Sequence, residues 1–558
     1  MSTNISKQKR KDLLAKIKEI RTFVSSVHQD NNTGNLLSYL SEIEKDINGK
    51  KYGLVFEEHC EEIDMMLKSN TPFLSEIADR FIDNGGEMNF LIEGDNLASL
   101  KLLEKTHKGK IDLIYIDPPY NRGKKDFVYD DDYVDLKDNF KHSKWASFMF
   151  NRLKLAKSLL SNSGTIFISI SDIEVNTLKL VCDDIFGIEH YVTCIPRISK
   201  QQRSAQELHM DVSHDYIICY SYSEDFYRII ERDYDEQKIK EDHIGKYIEN
   251  DTKAILADKS KGYSAGGDYD FEYNGKVYKP IDKNGIRNRW LWTRSRMEAA
   301  AKLGILVETP TSLRMQLYLD YKFDDKTNKM VPKNPNLIFH TSDFMLKSCY
   351  TNSTGSNELK ALGVDLFQKF NNPKPLALIM DLCKLSANKN SIILDFFAGS
   401  GTTGHAVMKL NNEDGGNRKF ILCTNNENDI CREVTYERIK RVIDTENYSA
   451  SMKYYKVEYI PISDRMYYEY ADELLTHIRE LVELENGTNF IENAEIGIVQ
   501  TEEELDEFMK NSISFEKCRK LYMGHDLLPS EEQEQLLKAR NIQISIIPDY
   551  YYKDLQEK

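Results

Sequence analysis

Short apolar runs alternate with longer amphipathic segments in two separate parts of the chain. The run Ile111–Ile116 is almost continuously apolar, as is 164–170, which is typical of strands buried on both faces of a parallel sheet. Between and after such runs, for example in 142–160, apolar residues recur at three- and four-residue spacing and predict helices. The alternation predicts a doubly wound α/β fold, with the layer divided between two stretches of sequence.

The remaining segments have other patterns. Apolar residues at helical spacing predict a helical module over 6–70, whereas 191–372 carries β-hairpin signals such as Asn274-Gly275, a pair that suits a type I′ turn. After 460 the chain is acidic, partly helical and rich in tyrosine. The predicted organisation is a helical N-terminal module (1–88), a first α/β half (89–190), an insertion (191–372), a second α/β half (373–460) and a mixed C-terminal module (461–558).

Composition narrows the possible classes of protein. Of the 558 residues 41% are hydrophobic and 30% are charged, and no long uncharged apolar run is present, so we expect a cytoplasmic protein without a membrane span. The nine cysteines form no C-x-x-C pair and no Cys/His cluster, so neither a disulfide framework nor a metal site is predicted. A net charge of −15 argues against indiscriminate phosphate binding, and any nucleic-acid site must be a local basic face.

The strongest candidate for chemistry is Asp117-Pro118-Pro119-Tyr120, which directly follows the apolar run at 111–116. Proline has a fixed φ and no N–H, so the strand must stop there, at the carboxyl edge where open α/β sheets bind ligands. A carboxylate and a backbone carbonyl can hold an exocyclic amine while the tyrosine ring stacks on the ring that carries it. The alternative is a turn with a helix-capping aspartate and a buried tyrosine.

A second candidate lies in the later α/β half, where a strand ends in a glycine turn and a helix begins. Such a turn lets a ligand approach bare backbone at the positive end of a helix. No phosphate-loop lysine follows, so the turn suits a ligand with a carboxylate and a sulfonium better than a nucleoside triphosphate. We expect the two motifs to converge in space. The predicted cofactor-binding residues of this turn are Asp395, Phe397, Ala398, Gly399, Ser400, Gly401 and Thr402.

Two further strand ends carry polar residues. Asp95 and Asn96 follow the strand at 90–93, where Asp95 can reach the adenine amine of a ligand, or either residue can cap the next helix. Glu427 follows the strand at 419–424, where an acid is well placed for ribose hydroxyls, although helix capping by Asn425 or Asn426 competes with that arrangement.

Basic residues interleaved with aromatic and amide side chains indicate where DNA would bind. Lys124 and Lys125 lie in a polar loop that we expect to be mobile over the site, and the other clusters lie in the insertion, partly around Trp290 and Trp292. The alternative is an ordinary charged surface. The predicted DNA-binding residues are Lys124, Lys125, Arg197, Lys200, Arg203, Arg287, Arg289, Arg294 and Arg296.

Taken in order, these motifs resemble the β-class amino methyltransferases of DNA, and most closely the modification subunits of type III restriction-modification systems. The resemblance implies a Rossmann-like methyltransferase sheet interrupted by a target-recognition insertion, with S-adenosylmethionine as donor and the N6 amine of a flipped-out adenine in double-stranded DNA as acceptor. It also implies a homodimer and a restriction-subunit partner, although a solitary methyltransferase is equally compatible with the sequence. The matching segments are 94–96, 117–121, 142–145, 164–170, 374–375, 395–403 and 425–427.

The resemblance also implies roles for single residues. Asp117 and the Pro118 carbonyl would hold the amine and Tyr120 would stack on the base, while Phe397, Gly399 and Gly401 would shape the donor pocket. Glu427 would hold the ribose and Asp95 would meet the adenine of the donor. Two features depart from the family pattern: Phe396 stands where many relatives have proline, and Asn425-Asn426 precede the acid where others differ.

Two rival functions remain at this point. The amine of cytosine N4 methylation can be held by the same tetrad, Asp117-Pro118-Pro119-Tyr120, although an acid instead of serine at its first position favours adenine. A non-catalytic subunit that gives DNA specificity is the other alternative, but such a protein does not need both motifs.

Overall fold

The computed structural model of the protein describes residues 5–26, 31–48, 56, 59–123, 128–129, 132–133, 140–200, 212–223, 238–255, 264–281, 286–324, 326–332, 343–462, 467–490 and 493–556. The chain begins with helices, as the spacing of its apolar residues predicts. None of the helices in these ranges is both long enough and apolar enough to cross a membrane. The first three helices are α1 (Ile5–Ser26), α2 (Asn31–Asn48) and α3 (Glu62–Ser69).

The first α/β half alternates strands and helices, and the long apolar runs form its strands. Residues 191–221, which the sequence assigns to the insertion, add two strands to the same sheet. The elements are β1 (Asn70–Glu76), β2 (Glu87–Glu93), α4 (Asn96–His107), β3 (Ile111–Ile116), β4 (Val128–Tyr129), β5 (Asp132–Tyr133), α5 (Lys141–Leu159), β6 (Leu160–Ile170), α6 (Val175–Phe186), β7 (Tyr191–Ile198) and β8 (His214–Ser221).

The insertion packs short antiparallel strands around a separate apolar cluster that includes Trp290 and Met297. The predicted hairpin at Asn274-Gly275 is confirmed, and both residues have the positive φ that a type I′ turn requires. The elements are β9 (Ile239–Glu241), β10 (Lys246–Ala254), β11 (Phe271–Tyr273), β12 (Lys276–Tyr278), α7 (Arg294–Lys302), β13 (Leu306–Glu308), β14 (Leu313–Tyr318), β15 (Tyr321–Phe323), β16 (Met330–Pro332), α8 (Asp343–Leu346), α9 (Asn352–Leu362) and α10 (Val364–Lys369).

The second α/β half and the C-terminal module complete the chain. The C-terminal module has its own small sheet of three parallel strands. The elements are α11 (Leu376–Ser386), β17 (Ile392–Asp395), α12 (Thr402–Asp414), β18 (Lys419–Thr424), α13 (Tyr436–Glu446), β19 (Ala450–Pro461), α14 (Tyr467–Leu475), α15 (Ile478–Asn486), β20 (Ile496–Val499), α16 (Glu502–Lys510), α17 (Ser512–Lys517), β21 (Lys520–Gly524), α18 (Glu531–Ala539), β22 (Gln543–Ile547) and α19 (Asp549–Gln556).

Both α/β halves contribute to a single sheet of nine strands, in the order β1-β19-β2-β18-β17-β3-β6-β8-β7. The strands from β19 to β6 in this order are parallel, whereas β8 runs antiparallel to both of its neighbours. Strands β17 and β18 therefore lie between β2 and β3, although more than 250 residues separate them in sequence from β3. The predicted doubly wound α/β fold is confirmed.

Helices cover both faces of this sheet, and adjacent residues of one strand enter opposite cores. Ile114 belongs to the apolar cluster under α4 and α5, while Leu113 belongs to the cluster under α11 and α12. Both residues are fully buried. This two-sided burial explains why the strand sequences are continuously apolar.

Candidate active site

The two candidate motifs meet at one edge of the sheet. Strands β3 and β17 are parallel neighbours, with Leu113 opposite Ile393 and Ile114 opposite Leu394. Because parallel strands end at the same edge, the residues that follow them lie side by side. A cavity of about 320 Å³ opens there and is lined by Asp117 and by Gly399, so the expected convergence is observed. Its volume is typical of small-molecule sites, which start at about 300 Å³.

Most of the predicted residues of the two motifs line this cavity. Tyr120 and Gly401 lie next to lining residues without forming the wall themselves. The lining residues that the sequence predicts are Asp117, Pro118, Pro119, Asp395, Phe397, Ala398, Gly399, Ser400 and Thr402. The cavity also has lining residues that sequence reasoning missed, among them Phe370, Asn372 and Lys374.

The tetrad is held by side chains from the two elements that follow it. The indole Nε1 of Trp145 on α5 donates a hydrogen bond to the Pro119 carbonyl at 2.7 Å. Asn121, which is buried with a φ of +56°, donates from its amide to Glu174 at 2.6 Å. These bonds fix the chain on both sides of Tyr120.

The Tyr120 hydroxyl lies among carboxylates. Burial raises the pKa of the Tyr120 phenol well above its ordinary value, and the charges of Asp117 and Asp215 raise it further. The side chain is therefore a neutral phenol at any ordinary pH. Its ring is suited to stacking, not to proton abstraction.

Lys374 is the cation at the centre of the site. Its Nζ donates to Oδ2 of Asp117 at 2.5 Å and to the Tyr120 hydroxyl at 3.0 Å, and its side chain is only 9% exposed. The other carboxylate oxygen of Asp117, Oδ1, is buried and has no hydrogen-bond partner among the described residues. The sequence places Lys374-Pro375 in a matching segment, but nothing in the sequence indicates that the ammonium contacts the tetrad.

On the opposite wall, Asp395 organises the glycine turn. Its carboxylate accepts hydrogen bonds from the Phe397 amide at 3.0 Å and from the Thr403 hydroxyl at 2.5 Å. Burial raises the pKa of Asp395 to about 7; the bonds from Thr403 and Phe397 oppose this shift and the charge of Asp117 adds to it. The carboxyl group thus changes its ionisation near neutral pH.

The backbone of the turn requires glycine. Gly399 has a φ of +48° and Gly401 a φ of +74°, and a Cβ atom on Gly399 would lie 3.1 Å from the Phe370 ring. Gly404 adds a third position that the sequence reasoning missed, because a Cβ there would lie 2.8 Å from Ile439. The three glycines give G-x-G-x-x-G spacing, so this signal was available in the sequence.

Arg438 supports the same turn from α13, and no sequence pattern indicates it. The guanidinium is buried and donates to the Thr402 hydroxyl at 2.7 Å and to the Ser400 hydroxyl at 3.2 Å. Burial lowers the pKa of Arg438 to about 10. The group still carries its positive charge at neutral pH, beneath the first turn of α12.

Besides Gly401, three predicted cofactor residues lie outside the cavity lining. Asp95 caps α4, since its Oδ1 accepts from the Leu97 amide at 2.7 Å, and Asn96 accepts from the buried Arg152 at 2.5 Å. Glu427 is exposed after β18. The capping alternative is therefore confirmed for Asp95.

Arg197 requires a correction, because the sequence assigns it to a DNA surface. Its side chain is fully buried and forms a bidentate pair with Asp215, in which Nε donates to Oδ1 at 2.7 Å. It also donates to the Tyr350 carbonyl at 2.7 Å. Burial alone would lower the pKa of Arg197, but the Asp215 carboxylate raises it, so the charge is permanent and internal. Arg197 joins β7 and β8 to the start of α9 and offers no surface to a phosphate.

The other predicted DNA-binding residues differ in their ion pairs, ring contacts and exposure. Arg287 pairs with Asp268 at 2.6 Å and Asp270 at 3.1 Å, which offsets its charge. Arg294 is exposed and lies 4.9 Å from the Tyr269 ring, and Arg296 lies 4.2 Å from the Trp292 ring. Lys200 and Arg289 are partly exposed. Lys124, Lys125 and Arg203 lie outside the described residues, as does most of the loop expected to be mobile.

Comparison with known proteins identifies similar sequences. Residues 111–436 match the DNA methylase family. The chain is 34% identical over 391 residues to the StyLTI Mod subunit, a type III restriction-modification enzyme of Salmonella typhimurium, with 64% of this chain and 56% of the relative covered. It is 31% identical to the EcoPI Mod subunit of Escherichia phage P1, covering 62% of this chain and 58% of that one. It is also 31% identical to the type II methyltransferase M.KpnI of Klebsiella pneumoniae, covering 60% and 79%. The chain thus spans just over half the length of the two Mod subunits.

Proposed function

The chain belongs to the DNA methylase family, and we propose that it transfers a methyl group from S-adenosylmethionine to the N6 amine of an adenine flipped out of double-stranded DNA. The observation that carries this proposal is the single cavity lined by both Asp117 and Gly399. Direct transfer requires that the donor and the acceptor amine meet in one site. A cavity whose two walls are an amine-holding carboxylate and a glycine turn meets that requirement.

The wall formed by the glycine turn suits the donor. When bound, S-adenosylmethionine supplies a methyl group activated by a positively charged sulfur. The Asp395 carboxylate, the Phe397 ring and the bare backbone at Gly399 would hold it, since an acid favours a cationic ligand and glycine leaves room for one. Asp95 and Glu427 are proposed for its adenine and ribose. They follow β2 and β18, which are neighbouring strands of the sheet.

The wall formed by the tetrad suits the acceptor. Oδ1 of Asp117 and the Pro118 carbonyl would accept the two amine hydrogens, which draws the nitrogen lone pair out of conjugation with the ring. The Pro119 carbonyl already accepts from Trp145. The carboxylate would offset the positive charge that grows on the nitrogen as it takes the methyl group. The methylated nitrogen is then acidic enough to release its proton to solvent, so no strong base is needed. Tyr120 would stack on the flipped base.

The proposal extends to partners and location. Two of the similar proteins are named as Mod subunits of restriction-modification enzymes, and this likeness supports a restriction-subunit partner. We further propose that the chain binds DNA as a homodimer in the cytoplasm. We propose that residues 89–190 and 373–460 form the catalytic domain, together with the strands at 70–76 and 191–221 that join the same sheet, and that the rest of the insertion reads the DNA sequence. Flanking modules at 1–88 and 461–558 complete the proposed arrangement.

The test is methyl transfer from labelled S-adenosylmethionine to unmethylated genomic DNA, followed by digestion to nucleosides and mass spectrometry. We expect label in N6-methyladenine. Label in N4-methylcytosine would show that the acceptor is cytosine instead of adenine. If the protein is folded and binds the donor but no nucleoside carries label, the proposal is contradicted. Sequencing the methylated DNA then gives the recognition site.

The DNA face is tested by the double variant Arg294→Glu/Arg296→Glu in the insertion. If both arginines meet phosphates, the variant should bind DNA more weakly and its salt dependence should flatten by about two in the slope of log K against log salt. A matched charge change, Arg519→Glu/Arg540→Glu, lies in the C-terminal module, where each arginine already faces a glutamate. If both double variants lost the same DNA affinity, α7 would not form part of the DNA-binding surface.

A further inference from the structure

Lys374 contacts both side chains that the tetrad offers to an acceptor base. Its Nζ lies 2.5 Å from Oδ2 of Asp117 and 3.0 Å from the Tyr120 hydroxyl, and it stands 5.1 Å from the centroid of the Tyr120 ring. An ammonium with three donors can hold two acceptors at once. Lys374 therefore bridges the carboxylate and the phenol, whose hydroxyl also donates to Oδ2 of Asp215 at 3.5 Å.

The backbone of Lys374 is itself fixed from two sides. On one side its carbonyl accepts from the Thr402 hydroxyl at 3.2 Å, in the first turn of α12. On the other side it packs against α9 so closely that a Cβ on Gly355 would lie 2.3 Å from the Pro373 carbonyl oxygen and 2.8 Å from the Lys374 carbonyl carbon. The side chain that starts from this anchored backbone is only 9% exposed and ends on Asp117 and Tyr120. Its contact with Asp117 is built into the fold.

The two oxygens of Asp117 are in different situations. Oδ2 accepts the charge-assisted bond from Lys374, whereas Oδ1 is buried without a partner among the described residues. A buried carboxylate oxygen without a donor is costly unless a ligand supplies one. The orientation that Lys374 imposes leaves this oxygen for a donor that arrives from outside.

We propose that Lys374 is a positioning residue: by holding Oδ2 of Asp117 and the Tyr120 hydroxyl, it aims Oδ1 of Asp117 at the exocyclic amine of the target base. This inference rests on the proposed function and adds to it the residue that sets the geometry of the acceptor site. Lys374 does not touch the reacting nitrogen. It acts through Asp117, and by binding the far oxygen it leaves Oδ1 to meet the positive charge that grows on the amine.

Kinetics of three variants test the inference in the full-length protein. Lys374→Met keeps the length of the side chain without its donor, and Lys374→Ala leaves space for an added amine. For both we expect kcat to fall about 100-fold, as misplacement of a reacting group typically costs, with the KM for S-adenosylmethionine changed less than threefold. Propylamine should restore part of the Lys374→Ala rate in proportion to its concentration and should leave Lys374→Met unchanged. Lys384→Ala, on α11 but beside Glu413 and outside the cavity lining, should retain the wild-type rate.

Several outcomes would overturn the inference while the wild-type protein stays active. Unchanged kcat in Lys374→Met would show that Asp117 is aimed without the lysine. Faster turnover would show that the ammonium blocks the amine site. A third outcome is that Lys374→Ala loses activity, keeps the melting temperature of the wild type and is not rescued by propylamine. Lys374 would then act through packing and not through its ammonium.

A second measurement needs no turnover and so separates this inference from the proposed function. Lysines are acylated briefly with an amine-reactive ester and quantified by mass spectrometry. Lys374 should react far more slowly than Lys510, whose side chain is 78% exposed, and Asp117→Asn should raise its rate because the ion pair is lost. If Lys374 reacts as fast as Lys510 in the wild-type protein, or if Asp117→Asn leaves its rate unchanged, the inference fails whatever the activity assay shows. If the wild-type protein transfers no methyl group while Lys374 is protected in this way, the proposed function fails instead.

Discussion

The two walls of the cavity are stabilised over very different distances in the sequence. The glycine turn bonds partly to itself, since the Phe397 amide donates to Asp395 at 3.0 Å and the Gly401 amide donates to the Ala398 carbonyl at 2.8 Å. Arg438 supports it from 36 residues after Thr402. The tetrad depends on side chains from elsewhere, with Trp145 lying 26 residues after Pro119 and Lys374 lying 257 residues after Asp117. The comparison teaches that the donor wall draws on contacts within 38 residues of the turn, whereas the acceptor wall also depends on Lys374, which lies 257 residues away.

The largest effect is expected from Asp117→Ala, which removes the carboxylate from the acceptor wall. We expect methyl transfer to fall at least about 1,000-fold, because electrostatic stabilisation of the growing charge is lost. Donor affinity, measured by calorimetry, should stay within about threefold, since the hydrogen bonds described for the glycine turn come from residues outside 117–120. Strong residual activity would refute the amine-holding role, and lost donor binding would show that the two walls are not independent.

Gly399→Val should have the next largest effect, which is a loss of donor affinity. A β-branched residue at a φ of +48°, with its Cβ 3.1 Å from the Phe370 ring, distorts the turn, so donor affinity should fall at least about 100-fold. Gly266→Val is the matched change, because a Cβ there meets nothing within 4 Å and its φ is not positive. Unchanged donor affinity in a folded Gly399→Val protein would place the donor elsewhere.

Trp145→Phe weakens the acceptor wall from a distance. An aromatic ring is kept, but the second ring and the Nε1 of the fully buried indole are lost, so a small cavity opens and the Pro119 carbonyl loses its donor. The lost hydrogen bond alone should cost about 1–3 kcal/mol of stability if no other group replaces it. We expect kcat to fall about tenfold with the donor affinity unchanged, as the tetrad loosens. A fall in donor affinity as large as the fall in kcat would contradict the separation of the two walls.

The smallest expected effect is that stability and donor affinity change with pH, because of Asp395 in the donor wall. The pKa of Asp395 is about 7 in the folded protein, above the value of 3.8 for an ordinary aspartate, so the folded state holds the proton more tightly. Its contribution to stability is therefore present at low pH and is lost as the pH rises through about 4 to 7. A cationic donor favours the ionised acid, so donor affinity should rise severalfold between pH 6 and 8. Asp395→Asn should abolish both trends in calorimetry and in thermal unfolding; equal slopes in both proteins would exclude Asp395 as their source.

The same contrast explains how much could be predicted from the sequence. The strands, the hairpin at Asn274 and both cavity motifs follow from local patterns of apolar residues, prolines and glycines, and the structure confirms these elements. The contacts of Lys374 and Arg438 could not be predicted, because they depend on packing between segments far apart in the chain. Arg197 is the opposite case, a site residue that the sequence predicts and that the structure buries. A cationic residue near aromatic and amide neighbours resembles a DNA contact, but its buried partner Asp215 comes 18 residues later on the adjacent strand.

The interleaved strand order has a consequence for synthesis on the ribosome. Strands β2 and β3 emerge early, yet their neighbours in the finished sheet, β18 and β17, lie at 419–424 and 392–395. Until the polypeptide has grown past residue 424, β2 and β3 face a gap two strands wide and expose unpaired backbone edges. A product truncated before that point should therefore depend on chaperones or aggregate. The central sheet can close only when most of the chain has left the exit tunnel.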